Sequence, residues 1–183
     1  MKTWNHPGGK LIEKGAHTLS QDELFEILIG TGYKGRTAQD IAKELLDNCF
    51  GIYGLWNKTF DDLSKIKGLK NGKIKRIAAP YEIGKRIIKE KSWNLPAVRK
   101  VTLGLSDSSD KGLLAILICS GHKEKTPNDL AGELLNKYHS LSGIMGERLS
   151  DMAKIRGLGD VKVVRIAAAY EIVRRMVKLL EAE

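Results

Sequence analysis

Cysteine and histidine are scarce in this sequence, and their spacing does not suggest a metal site. Two cysteines and four histidines occur in 183 residues, namely Cys49, Cys119, His6, His17, His122 and His139. No two histidines form a His-x-His or His-x3-His pair, spacings that bring two imidazoles to one metal ion. Gly-x-Ser-x-Gly is also missing, and no Ser-His-Asp or Cys-His arrangement is indicated. We therefore expect no metal site and no enzyme activity.

Long apolar runs are missing as well. No run approaches the roughly 20 residues needed to span a membrane, and residues 1–10 lack the apolar segment of a signal peptide. Both cysteines fall within apolar helical patterns, which predicts reduced thiols in the core of a cytoplasmic protein. The tryptophans are too dispersed to form a stacking platform for single-stranded nucleic acid; they are Trp4, Trp56 and Trp93.

Acidic residues are outnumbered by basic ones. The sequence has 31 Lys and Arg against 22 Asp and Glu, a net charge of +9 and a pI near 9.5. A surplus of this size favours a polyanionic partner. Apolar residues make up 42% of the chain, which at this length is enough for a folded core.

The chain contains an internal duplication. Residues 20–87 align with residues 109–176 at a constant offset of 89, without a gap, and about 28 of the 68 aligned positions are identical. No long linker separates the copies. We predict two tandem modules, residues 1–92 and residues 93–183.

Each module is predicted to be all-α. Apolar residues recur at spacings of three and four in the longer segments. Ser20, Thr37 and Thr126 stand where helix N-caps are expected. Pro80, whose counterpart is Ala169, should bend the first long helix, because an interior proline removes a backbone hydrogen bond.

The most specific local pattern lies in residues 155–176. Gly157-Leu158-Gly159 predicts a tight turn between a short helix and a long one, with Leu158 filling the angle between them. The two glycines would let the backbone approach a ligand closely, and the amides of the following helix N-terminus would attract phosphate. The alternative is an ordinary structural corner between two helices.

Basic residues accompany both turns. Beside the second turn, Lys162 and Arg165 of the long helix are expected to act as mobile cations. Lys73 and Arg76 are expected to neutralise phosphate similarly in the first copy. A loop with the pattern Gly-x-Lys-x-basic-Thr precedes a helix in each copy and is a further phosphate candidate. Its basic residues are Lys34 and Arg36 in one copy and Lys123 and Lys125 in the other. The alternative for these loops is simple solvent exposure.

The first turn is degenerate. It keeps Gly68, but Lys70 stands where Gly159 stands in the second copy. A side chain there should restrict the approach of phosphate to the backbone while adding a charge. We therefore expect the second turn to make the main backbone contact, and Gly159→Lys to weaken binding more than Lys70→Ala.

Residues 155–166 resemble a helix-hairpin-helix motif, whose turn usually has the sequence Leu-Pro-Gly-Val-Gly; here Arg156 replaces the proline. The module as a whole resembles the N-terminal helical domain of the RadC (UPF0758-like) family, over residues 6–90 closely and over 95–180 less closely. The matching residues are Pro7, Lys10-Leu11-Ile12-Glu13-Lys14-Gly15, Leu19-Ser20, Glu23-Leu24, Ile27-Leu28, Thr31-Gly32, Lys34-Gly35, Leu45-Leu46, Lys65-Ile66-Lys67-Gly68 and Glu82-Ile83-Gly84-Lys85-Arg86.

The resemblance implies two helix-hairpin-helix modules that contact DNA phosphates, in repair or recombination, and it allows a monovalent cation at the turn. The zinc metallo-domain of that family is not found in this sequence, so we expect none of its chemistry. Helix-hairpin-helix DNA glycosylases are also similar, but Val161 stands at the position of their lysine and their four iron–sulfur cysteines are missing.

Two functions remain open from the sequence. One is a non-catalytic DNA-binding protein with little sequence preference, which the net charge of +9 favours. The other is a protein-interaction scaffold that keeps the fold without binding DNA, which the degenerate first turn favours.

Overall fold

Residues 6–182, which the computed structural model describes, form eleven α-helices and no β-strand. The all-α prediction is confirmed. The helices are α1 (Pro7–Lys14), α2 (Gln21–Ile29), α3 (Ala38–Cys49), α4 (Gly51–Gly54), α5 (Phe60–Ser64), α6 (Asn71–Glu90), α7 (Asp110–Ile118), α8 (Pro127–Tyr138), α9 (Leu141–Ile144), α10 (Leu149–Ala153) and α11 (Asp160–Glu181), with 3-10 turns at Ala16–Thr18, Leu55–Asn57 and Pro96–Lys100.

Side-chain caps fix where most of the helices begin. Ser20 caps α2 and Thr37 caps α3, each in a reciprocal pair with an acidic residue three positions later. Thr126 does the same for α8, where Pro127 occupies the first helical position. These predicted caps are confirmed. Helix α6 continues through Pro80 as a single element.

The duplication is visible in the order of helices, since α2 to α6 correspond to α7 to α11. The copies differ at their beginnings, where α1 of the first is replaced by the 3-10 turn Pro96–Lys100 in the second. Cys49 is buried as predicted, whereas Cys119 is exposed at the end of α7, so its predicted place in the core is wrong. Trp56 is buried and Trp93 is exposed; Trp4 lies outside the described residues.

The long helices of the two copies pack closely against each other. A Cβ atom placed on Gly84 of α6 would lie 2.0 Å from the Cε atom of Met176 in α11. Val173 takes the place of Gly84 in the second copy, so the two sides of this contact are complementary. The buried apolar residues of both copies form one continuous core.

An arginine of each copy also donates hydrogen bonds to backbone carbonyls of the other copy, in a symmetric way. Arg86 of the first copy donates to the backbone carbonyls of Ser106 and Ser108 at 3.3 and 2.6 Å. Arg175, its counterpart, donates to the carbonyls of His17 and Leu19 at 3.5 and 2.7 Å. Each of these three pairs of positions is 89 residues apart. The interface is therefore isologous, as in a twofold dimer, but it lies within one chain.

A buried glutamate holds each of these arginines. Glu82 lies 2.9 Å from Nε of Arg86, and Glu171 lies 2.8 Å from Nε of Arg175. Lys85 and Arg174 supply a second cation to each carboxylate. Burial acts to raise the pKa of both carboxyl groups, but the bonds and charges of the cations outweigh it and hold the pKa below its usual value.

We expect the double variant Glu82→Gln/Glu171→Gln to lose about 2–4 kcal/mol of unfolding free energy near neutral pH, because each change removes the buried carboxylate from two cations. Of these four cations, Arg86 keeps a second ion pair, with Asp110. Since the folded pKa is depressed, this stabilisation is present above the unfolded value of 4.5 and is lost as pH falls through the folded value. Denaturant titrations at about pH 7 and about pH 3 measure the loss of unfolding free energy and its dependence on pH.

The difference in unfolding free energy between the parent and the double variant should be smaller at the lower pH. Glu13→Gln, which changes an exposed carboxylate, is the matched control and should cost little. An equal loss at both pH values would contradict the assignment of the stabilisation to the ionised carboxylates.

Candidate functional site

The first glycine of each turn is required by the backbone and by packing. Gly68 and Gly157 have φ angles of 100° and 109°, a region that strongly favours glycine. A Cβ atom on Gly68 would lie 2.6 Å from Cδ1 of Ile41, and one on Gly157 would lie 2.9 Å from Cδ2 of Leu130. The next residue of each turn is a buried leucine, Leu69 in the first copy and Leu158 in the second, as predicted for Leu158.

The second glycine position of the turn, which is Gly159 in one copy and Lys70 in the other, does not require glycine. Gly159 has φ −75° and ψ 171°, and a Cβ atom there would meet no heavy atom within 4 Å. Lys70 has a similar backbone, with φ −112° and ψ 169°. Both residues precede a long helix, and neither α6 nor α11 has a side-chain cap. The first amides of both helices are therefore without a side-chain acceptor, which suits an anion.

The lysines expected to neutralise phosphate are tied to backbone carbonyls. Lys73 donates to the carbonyl of Thr31 at 2.6 Å, and Lys162 donates to the carbonyls of Gly121 and Gly157 at 3.0 and 2.8 Å. Both ammonium groups thus engage the protein backbone, whereas the sequence predicts that Lys162 is free beside the turn. At the second turn an ammonium group already contacts the carbonyl of Gly157, where the resemblance allows a monovalent cation.

The two arginines that follow are held in the same way. Arg76 donates to the carbonyls of Leu28 and Ile29 at 2.6 and 2.9 Å. Arg165 donates to those of Leu117 and Ile118, at 3.0 and 3.3 Å. These carbonyls end α2 and α7, so the arginines satisfy groups that a helix cannot satisfy itself. Both guanidinium groups therefore engage the protein backbone rather than stand free beside the turns.

The two arginines also lie close to each other across the copies. Burial lowers the pKa of the Arg165 guanidinium below its usual value, and the positive charge of Arg76 adds to this effect. Arg76 further contacts Sγ of Cys119 in the other copy, at 3.4 Å.

The basic-loop residues divide into two kinds. Arg36 donates to the carbonyl of Lys67 at 3.0 Å and pairs with Glu44. Lys125 likewise contacts the carbonyl of Arg156, at 3.4 Å, and pairs with Glu133. Arg36 and Lys125 thus fasten each loop to its turn.

The other two lysines lie at the loop tips. Lys34 and Lys123 are exposed and have positive φ angles of 43° and 50°. Each lies within a tight turn that two backbone hydrogen bonds close. Neither makes a hydrogen bond or ion pair with another side chain among residues 6–182.

The structure adds two cations that the sequence analysis missed. Lys67 and Arg156 immediately precede the turn glycines, are exposed, and form no ion pair within the described part of the chain. Their repetition at the offset of 89 was a signal that could have identified them. Together with Lys34, Lys70 and Lys123, they are the five cations of the loops 32–37 and 121–126 and the turns 65–72 and 154–161 that face solvent without an ion pair among the described residues.

Two wider features of residues 6–182 bear on function. Within that span, no three His, Cys, Asp or Glu side chains come together as metal ligands would. In the same part of the chain, no helix has both the length and the apolar character to cross a membrane.

Comparison with known proteins places the chain in a family. The family model described as UPF0758 N-terminal matches it in two segments, residues 1–75 and 84–164. A UPF0758 protein of Clostridium beijerinckii is 39% identical over 88 residues, which is 48% of this chain and 38% of that protein. One of Alkaliphilus oremlandii is 42% identical over 82 residues, 44% of this chain and 35% of that protein.

The chain therefore aligns with well under half the length of these curated relatives. No solved structure matches it significantly. The two matched segments together cover most of the sequence and confirm the family resemblance drawn from the residues. The chain belongs to the UPF0758 N-terminal family.

Proposed function

We propose that this chain is a non-catalytic protein that binds DNA through its phosphates, with little sequence preference, at two helix-hairpin-helix turns. The observation that carries the proposal is the shared form of the turns. Each places an uncapped helix N-terminus beside exposed cations on the surface, and this combination binds phosphate without contacting bases.

The cations of each copy serve two purposes in this proposal. The cations that are hydrogen-bonded to backbone carbonyls hold the turn in place and contact DNA little. Those that face solvent neutralise phosphate. Binding should therefore depend on the second group, and the fold on the first.

A second function is favoured by apolar exposure at the second turn. Val161, the second residue of α11, is 70% exposed, and its neighbour Asp160 is acidic. An exposed apolar side chain beside a carboxylate suits a protein surface better than a phosphate. A protein-interaction role, with DNA binding lost, is the alternative proposal.

Binding to DNA should be strong at low salt and similar for unrelated duplexes of equal length. Each solvent-facing cation that neutralises one phosphate contributes roughly −0.9 to the slope of log K against log salt, so the slope should be clearly negative and no steeper than about −4.5 for the five. Fluorescence anisotropy with two unrelated duplexes across a salt series measures the affinity for each duplex and the salt slope. No binding at low salt, or a flat salt dependence, would leave the protein-interaction role.

Arg165→Ala should lower the free energy of unfolding by about 1.5–3 kcal/mol, because the carbonyls at the end of α7 lose a charged donor. The salt slope of the folded variant should stay unchanged, since this guanidinium faces the protein. Thermal unfolding and anisotropy on the same sample measure the two effects. A shallower slope with unchanged stability would instead make Arg165 a phosphate contact.

We expect no cleavage of DNA by the purified chain. No nucleophile, acid–base pair or metal-ligand cluster accounts for such a reaction among the described residues. Incubation of labelled duplex with Mg²⁺, Mn²⁺ or Zn²⁺ checks this. Cleavage that follows the chain through several purification steps, and disappears on its unfolding, would refute the non-catalytic assignment.

A further inference from the structure

The solvent-facing charges of the two turns are unequal. Around the first turn, Lys34, Lys67 and Lys70 face solvent, and neither the loop 32–37 nor the turn 65–72 contains an acidic residue. All three lack ion pairs among residues 6–182. The local surplus of unpaired charge is therefore three positive charges.

Around the second turn, the corresponding surplus is zero. Lys123 and Arg156 are exposed and unpaired within the described residues, but so are the acidic residues Glu124 and Asp160. Asp160 is the first residue of α11. A carboxylate there occupies the positive end of the helix that a phosphate would need. The neutral Asn71 has that position in α6.

The three lysines of the first turn share one surface. Lys34 Nζ lies 5.4 Å from the ring centroid of Tyr33, and Lys70 Nζ lies 6.0 Å from it. Tyr33 in turn packs on the turn, since a Cβ atom on Gly68 would lie 3.0 Å from its Cβ. The bond from Arg36 to the carbonyl of Lys67 joins the loop to the turn. We call this surface, Tyr33, Lys34, Lys67 and Lys70, the first-turn surface.

We infer that the first-turn surface is the principal DNA-phosphate site of the chain, and that the second turn contributes little. The inference rests on the proposed function and reverses the order expected from the sequence. That expectation depended on close backbone approach at Gly159. The similar dihedral angles of Lys70 and Gly159 indicate that both turns present their amides alike, so the difference between the turns is charge.

Charge is the stronger determinant here. Non-specific affinity for DNA comes mainly from counterions released as phosphates are neutralised. Each of the three unpaired lysines can release one counterion. Each cation of the second turn instead has an acidic neighbour, in the sequence or at the start of the helix, which offsets its charge.

The test compares three variants by anisotropy across a salt series. Lys34→Ala/Lys67→Ala/Lys70→Ala removes the first-turn cations, and Lys123→Ala/Arg156→Ala removes those of the second turn. Lys89→Ala/Lys91→Ala/Lys178→Ala is the control, matched in charge to the first variant. Its residues are exposed and lie at the far ends of the long helices.

The first variant should lose at least about tenfold in affinity near 0.1 M salt, with a slope shallower by about 2.7. The second-turn variant and the control should each lose less than about threefold. Equal losses for the first variant and the control would overturn the inference in favour of overall charge. A larger loss for the second-turn variant would overturn it in favour of the second turn. If the parent does not bind DNA, the proposed function fails as well.

A gain-of-binding variant gives an independent measurement. Gly159→Lys/Asp160→Asn copies Lys70 and Asn71 into the second turn, and the open space and negative φ at Gly159 admit the lysine without strain. Binding should tighten several-fold, with a slope steeper by about 1 or more. Weaker binding by the folded variant would show that backbone approach at Gly159 matters more than charge.

Discussion

The structure depends on the ion pairs that Glu82 and Glu171 make inside the interface between the copies. A carboxylate that is almost excluded from water is costly unless cations and donors surround it. Each glutamate here directs an arginine towards the carbonyls of the opposite copy. The arginine therefore offsets the cost of burying the carboxylate and also joins the two modules. The arrangement occurs twice, because each copy offers the carbonyls just before α2 or α7 to the arginine of the other. The two turns consequently stand on one continuous core.

The same chemistry explains why so many basic residues of this protein are not available to a ligand. Short helices separated by tight turns leave many terminal carbonyls without partners. This chain fills that need with lysine and arginine side chains, whose donors reach carbonyls more than 40 residues away in the sequence. A net charge of +9 therefore overstates the charge that faces solvent around the turns. What matters for a polyanion is how the cations are divided between carbonyls and water.

Much of the fold could be predicted from the sequence because its determinants are local. The caps at Thr37 and Thr126 and the positive φ angles at Gly68 and Gly157 are set within a few residues, although packing against Ile41 and Leu130 adds to the requirement for glycine. The roles of Lys162 and Arg165 could not be predicted, because their acceptors are set by tertiary packing. The exposure of Cys119 was missed for a related reason: the apolar pattern of α7 continues to its last residue, but the chain turns there with a φ of 69° and leaves the helix. The charge imbalance between the turns was present in the sequence, yet it became interpretable only once paired and unpaired cations were distinguished.

The duplication provides an internal comparison of what the fold requires and what it leaves free. Several positions hydrogen-bonded to the backbone or packed in the interface are identical in both copies. They include Lys73 and Lys162, Arg76 and Arg165, Tyr81 and Tyr170, Glu82 and Glu171, and Arg86 and Arg175. Exposed positions around the turns differ, as at Lys70 and Gly159 or Asn71 and Asp160.

The two copies thus share the scaffold of the turn but not the surface that the turn presents. Around the turns, two pairs of lysines are exposed and yet identical, Lys65 with Lys154 and Lys34 with Lys123. Lys65 and Lys154 each form an ion pair with an aspartate three residues earlier, whereas Lys34 and Lys123 form none among the described residues. Neither the core nor a carbonyl accounts for these lysines, and their positive φ angles are ones that a lysine seldom adopts. A glycine would satisfy that backbone more easily. The retention of lysine at both loop tips is therefore better explained by a requirement for charge at the surface than by the fold.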